Sequence, residues 1–253
     1  MPDVWNGVQQ FTRARVALGR TGVSLPTQEV LKFSLAHAQA RDAVHLPLDT
    51  DHVQVELIAR GFQVIRAHSA APDRATYLRR PDWGRKLSDA SRALLATQRS
   101  ARAPEFVFVI ADGLSSRAAA NAFPLLDAME SLLPNLHHAP VVIATQARVA
   151  LGDEIGHLLG AKQIVMMIGE RPGLSSPDSL GLYMTHGPKP GLSDADRNCI
   201  SNVRPEGLGY SAAAHKLAYL MAGARQLGHS GVDLKDDSSA TLDVAPAPAA
   251  LTV

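Results

Sequence analysis

Four charged side chains stand just behind apolar runs, where a buried strand would stop. Asp112 follows Phe106 to Ala111, Arg148 comes shortly after Pro140 to Thr145, and Glu170 with Arg171 follows Gln163 to Ile168. A carboxylate accepts hydrogen bonds and a guanidinium donates them, so these two residue types gathered at one edge can hold a polar ligand. Taken singly, each has a structural explanation. Asp112-Gly113 is a turn pair, Ser115 or Ser116 suits a helix cap, Glu170 beside Arg171 suits a solvated ion pair, and a lone cysteine, Cys199, suits a small buried hydrophobe. What favours a ligand is convergence. In an open parallel sheet the loops ADGLSS (111–116), TQARV (145–149) and GERPGLSS (169–176) all leave from carboxyl ends of strands, where ligands of such sheets sit.

The elements that must position these groups follow from the hydrophobic pattern. FVFVIA, PVVIAT and QIVMMIG are short continuous apolar runs separated by amphipathic stretches, which indicates strands buried on both faces with helices between them. The fold expected is α/β, a Rossmann-like three-layer domain with a mainly parallel sheet and an N-terminal helical segment. Residues 1–75 form that helical segment, 76–230 the α/β domain and 231–253 a disordered tail, because the tail is polar and then rich in alanine and proline. Within the helical segment, Val30, Leu31, Leu35 and Ala38 share a face after Pro26, with Thr27 placed to cap. Pro124 should kink or divide the helical stretch that begins near Ala119. A later helix starts near Ser211 and stops at Gly228, and Ser179 to Thr185 reads as a further strand.

Composition removes several classes of function. With 25 basic and 24 acidic residues in 253, a net charge of +1 gives no field to attract nucleic acid. No apolar stretch approaches the roughly 20 residues that span a bilayer. The N-terminus lacks a basic start followed by an apolar run, and one cysteine makes no internal disulfide, so a cytoplasmic setting is expected. Neither G-x-G-x-x-G nor G-x-x-x-x-G-K-[ST] occurs, and neither does G-x-S-x-G; the histidines show no ligand-like pairing, so no metal site is expected.

GERPGLSSPDSLGLYMT (169–185) with ADRNCISNVRPEGL (195–208) resembles the small, or light, chain of adenosylcobalamin-dependent ethanolamine ammonia-lyase. ARVALGRTG (14–22), TYLRRPDWGRKL (76–87), ADGLSS, LGAKQIVMMIGERPG and CISN occur in that family's order, so the likeness runs from about Arg13 to about Gly228. The resemblance implies an enzyme of two chain types, in which a large barrel subunit holds the amino alcohol and the small chain closes over the corrinoid at their interface. It implies radical conversion of ethanolamine to acetaldehyde and ammonia, with no catalytic residue on this chain. Val149, Glu170 and Cys199 match the family's cobalamin contacts, and Asp112 and Arg171 are secondary candidates.

No D-x-H-x-x-G motif is present, so the cofactor is expected to keep its own benzimidazole on cobalt. The partner expected is the large chain, in pairs of heterodimers arranged around a threefold axis. Some members carry a long N-terminal extension that directs them into a protein-shelled microcompartment; here the family core begins almost at once, which argues against encapsulation. The alternatives are an independent nucleotide-binding α/β enzyme, against which the missing glycine fingerprints count, and a scaffold subunit without a cofactor.

Overall fold

The computed structural model describes residues 16, 18–19 and 22–238. Two helices, α1 (Thr27–His45) and α2 (Thr50–Ala59), lead into strand β1 (Val64–His68). Then come α3 (Arg74–Arg79), α4 (Asp89–Thr97), β2 (Phe106–Ala111), α5 (Ala122–Met129), β3 (Val141–Thr145), α6 (Leu151–Leu159), β4 (Gln163–Gly169), β5 (Leu180–His186), β6 (Arg197–Val203) and α7 (Tyr210–Leu227). The six strands form one sheet in the order β1-β3-β2-β4-β5-β6. The strands β1 to β4 are parallel to one another, whereas β5 pairs antiparallel with both β4 and β6. The sheet is therefore mixed, and its order is not the 3-2-1-4-5-6 of the doubly wound dinucleotide fold.

Why the central strands form is visible in their burial. Every residue of β2 and β4 is buried, as a strand covered on both faces requires. Phe106, Phe108 and Ile110 enter a core shared with α2, α5 and α7, while Val107, Val109 and Ala111 enter a second core shared with α4 and α6. Alternate residues of one strand thus serve two helical layers, giving three layers in all. At the edge, β1 alternates instead: Ile65 and Ala67 are buried and Arg66 is exposed. The first 75 residues therefore supply a strand of this sheet as well as helices.

Helix ends follow local chemistry with two departures from expectation. Gly160 and Gly228 close α6 and α7 in the left-handed conformation, at φ 70° and 78°. The stretch holding Pro124 is divided, but the division precedes the proline: a 3₁₀ turn over Ser116–Asn121 gives way to α5. Pro124 falls in the first turn of α5, where its missing N–H interrupts no helical bond. Thr27 is the first residue of α1 and not its cap; Pro26 occupies the cap position without a side-chain bond.

The segment after α7 is packed as far as it is described. The Val232 N–H donates to the Ala195 carbonyl at 3.0 Å, Asn198 bonds the backbone of Gly231 and Leu234, and Leu234 is buried. Residues 239–253, the rest of the expected tail, lie outside the described residues. Among the described residues no helix is long and apolar enough to cross a membrane.

Candidate functional site

The carboxyl ends of β2, β3 and β4 meet at a cavity of about 410 Å³ lined by Tyr77, Gly113, Leu114, Arg148, Val149, Ile168, Gly169, Glu170, Arg171 and Tyr183. A larger hollow, about 510 Å³, opens at the amino ends of β2 and β3 between residues such as Gln63, Arg102, Phe106 and His138. It contains none of Arg148, Glu170 and Arg171, so the smaller cavity is where the polar groups of the strand ends converge.

Two glycines make the floor possible. A Cβ on Gly113 would stand 2.2 Å from the Gly169 carbonyl oxygen, and one on Gly169 would stand 2.0 Å from that of Ser115. The backbones of the β2 and β4 loops are therefore in direct contact, joined by the Leu114 N–H donating to the Gly169 carbonyl at 2.9 Å.

Glu170 is held from two sides. Its backbone N–H donates to the Ser179 carbonyl at 3.0 Å, and Oε2 accepts a short bond from the Ser179 hydroxyl and another from the Asn202 N–H at 3.2 Å. Oε1 rests against Gly181 and has no hydrogen-bond partner among the described residues. The adjacent Arg171 is exposed and forms no ion pair with Glu170. The chain then reverses at Gly173 and Ser176, whose backbones exchange two bonds of 3.2 Å, and returns as β5.

Cys199 lies on β6 directly opposite Tyr183 of β5, one strand beyond the cavity wall. It is exposed, not buried, with Sγ 3.4 Å from the Ser201 hydroxyl. Burial pushes the Tyr183 phenol well above the ordinary tyrosine range, and Cys199 and Glu170 add to that rise. The phenol therefore stays neutral at the cavity wall and keeps its proton.

Asp112 sits behind the cavity instead of lining it. At 2% exposure, its Oδ1 accepts from the Ala147 N–H at 3.0 Å and its Oδ2 from the Gln146 N–H at 2.8 Å and Arg74 at 3.1 Å. Burial pushes its carboxyl upward, against Arg74 and the amides of Ala147, Gln146 and Gly113. These bonds clamp a left-handed turn at Gln146, φ 54°, that redirects the chain toward Arg148 and Val149. Asn202, which donates to Glu170, is the other non-glycine residue with positive φ among those described, at 59°. Both left-handed positions thus brace the walls of one cavity. Ser115 occupies a cap position but sends its hydroxyl to the Pro177 carbonyl at 2.6 Å, tying the β2 loop to the GERPG loop.

A family model described as the ethanolamine ammonia-lyase light chain matches residues 2–235. The chain belongs to the ethanolamine ammonia-lyase light-chain family. A protein named ethanolamine ammonia-lyase small subunit from Pseudomonas fluorescens (strain Pf0-1) is 55% identical over 239 residues, covering 92% of this chain and 87% of that relative. Proteins of the same name from Ralstonia nicotianae (strain ATCC BAA-1114 / GMI1000) and Azotobacter vinelandii (strain DJ / ATCC BAA-1303) are each 52% identical, covering 94% and 92% of this chain and 90% and 88% of their own lengths. In this light-chain member the structure brings Val149, Glu170 and Arg171 to one cavity, sets Cys199 on the adjoining strand, and places Asp112 behind the wall. Tyr77, Tyr183 and Asn202 belong to the site and went unread in the sequence; Tyr77 falls within the TYLRRPDWGRKL stretch, which gave no sign of its spatial neighbours.

Proposed function

We propose that this chain is the small subunit of an adenosylcobalamin-dependent ethanolamine ammonia-lyase, forming one wall of the corrinoid site while a large chain holds ethanolamine. The observation that carries the reading is the meeting of Val149 and Glu170 at one cavity, with Cys199 on the next strand, from three separate stretches of sequence. The relatives' shared name, small subunit, adds the larger partner.

The donor set suits a corrinoid rim, whose amide side chains need acceptors and backbone donors more than a cradle of charge. Glu170 Oε1 has its acceptor capacity free, while Oε2 is fixed by Ser179 and Asn202. A corrinoid exceeds 410 Å³, so this wall covers part of it and a second polypeptide must cover the rest. When bound, adenosylcobalamin supplies the radical chemistry that turns ethanolamine into acetaldehyde and ammonia. The residues of this chain bind and orient: Glu170 as acceptor, Val149 and Cys199 through backbone groups and packing, and Leu114, Ile168 and Tyr183 by excluding water. Arg171 reaches the mouth of the cavity from an exposed position. The lack of a D-x-H-x-x-G motif supports retention of the cofactor's own base on cobalt. The N-terminal helices are the segment that packs on the large chain, in pairs of heterodimers around a threefold axis. Val30, Leu31 and Leu35 of α1 are 46%, 64% and 61% exposed, an apolar face without cover among the described residues. The single cysteine supports a cytoplasmic setting.

Glu170→Gln tests the site. In the complex with the large chain, equilibrium dialysis is expected to show adenosylcobalamin affinity about tenfold lower, with assembly unchanged. Unchanged affinity would remove Glu170 from the site.

A further inference from the structure

The amide acceptor role of Glu170 leaves one feature of the cavity without a use, the guanidinium of Arg148. Its Cζ lies 4.5 Å from the centre of the Tyr77 ring, and its stem passes so close to Gly84 that a Cβ there would meet Cγ at 2.9 Å. The Arg148 N–H donates to the Gly84 carbonyl at 2.8 Å, and Tyr77, fully buried, fixes its own hydroxyl on the Ala147 carbonyl at 2.8 Å. The guanidinium is therefore held in place from both backbone and ring. Its Nε is sealed from solvent with no hydrogen-bond partner, as are Arg74 Nη2 and Arg197 Nε, but unlike those two side chains Arg148 makes no ion pair with any described residue.

Arg74 supplies the contrast on the same aromatic ring. Its Cζ is 4.8 Å from the Tyr77 centre, and Asp112 neutralises it at 3.1 Å. One of two cations on a single ring has a buried carboxylate, and the one lining the cavity has none. A half-buried guanidinium without a counter-ion is costly unless an anion arrives to complete it. Planar guanidinium groups match phosphate oxygens two at a time, which makes a phosphate ester the anion that this geometry takes best.

We infer that Arg148 is a phosphate-binding residue, receiving the phosphodiester of the nucleotide loop of cobalamin. The inference rests on the corrinoid reading above and adds to it the part of the ligand that lies toward Tyr77.

The test separates the two. The two-chain complex, wild type, Arg148→Gln and Arg148→Lys, is titrated with adenosylcobalamin, adenosylcobinamide phosphate and adenosylcobinamide, the last lacking the phosphate. Binding is read by equilibrium dialysis and the visible spectrum, without turnover. Arg148→Gln is expected to weaken the two phosphate-bearing corrinoids by roughly 10- to 100-fold and to leave adenosylcobinamide unchanged within about twofold. Arg148→Lys, which keeps the charge but loses the fork, should show a smaller loss confined to the same two ligands, and it carries the test if the glutamine variant does not assemble. An equal loss on all three corrinoids, or none on any, overturns the proposal while the corrinoid reading stands. Equal loss accompanied by weaker subunit association would instead assign Arg148 to a carboxylate of the large chain. A wild-type complex that takes up none of the three overturns both.

Discussion

Helices α1 and α7 are nearly the same length, 19 and 18 residues, and the protein treats them in opposite ways. α7 buries Ala213, Ala214, Leu217, Leu220, Met221 and Ala224 against α5 and the β5 and β6 strands. α1 buries only Ala43 and leaves Val30, Leu31 and Leu35 in water. Apolar side chains at helical spacing have the same driving force for burial in either helix. The difference teaches that the sheet and α7 bury their apolar faces against each other, whereas the apolar side chains of α1 find no cover among the described residues. The proposed cofactor wall lies in the well-packed part, and the proposed contact with a large chain lies on α1.

That contrast can be broken or sharpened by substitution. The largest effect expected is Leu217→Ala, which opens a fully buried position in the core and should lower the stability of the chain by about 2–5 kcal/mol, read as a fall in urea midpoint. A loss well below that would mean that α7 is less integral than its burial indicates.

Next is the buried pair of Asp153 on α6 and Arg197 on β6, whose Oδ2 and Nη2 are 2.5 Å apart at 3% and 2% side-chain exposure. Burial, aided by Asp196 and Asp194, pushes the Asp153 carboxyl up to about 6, with Arg197 opposing. A carboxyl raised in the folded state contributes stability that is full below its unfolded value near 3.8 and is lost as pH rises through about 6. The stability of the wild type relative to Asp153→Asn is therefore expected to fall by about 1–3 kcal/mol between pH 4 and pH 7. A difference that stays flat across that range would show that Arg197 fully offsets the burial.

The smallest effect on folding is expected on α1. Leu31→Ala should change the urea midpoint by no more than about 0.5 kcal/mol equivalent, while weakening association with the large chain. A fall in stability as large as that of Leu217→Ala would mean that α1 packs on its own chain and would cancel the comparison.

Much of the well-packed part could be read from the sequence. FVFVIA, PVVIAT and QIVMMIG became β2, β3 and β4 because strands buried on both faces need unbroken apolar runs, and Gly160 and Gly228 ended their helices. β1 and β6 were hidden because edge strands keep polar residues: VIRAH carries Arg66 and His68, and RNCISNV buries only Arg197, Ile200 and Val203. The antiparallel pairing of β4, β5 and β6 runs across the connections 170–179 and 187–196, which are too long for a tight turn to set the register. Asp112 looked like a ligand because its position at a strand end is the same whether its carboxylate faces a cavity or clamps the neighbouring loop. The left-handed turn at Gln146 gave no signal, since glutamine has no preference for that conformation and Asp112 holds it from another strand end, whereas Asn202 is of a type that adopts it readily.

One wall of a corrinoid site on this chain, completed by a separate large chain, is the proposal most open to direct test. The most direct measurement mixes adenosylcobalamin and ethanolamine with this chain alone, the large chain alone and the two together, and records corrinoid uptake with acetaldehyde release. Tight uptake and turnover are expected only when both chains are present. Turnover by this chain alone, or full corrinoid uptake by the large chain without it, would overturn the two-chain site.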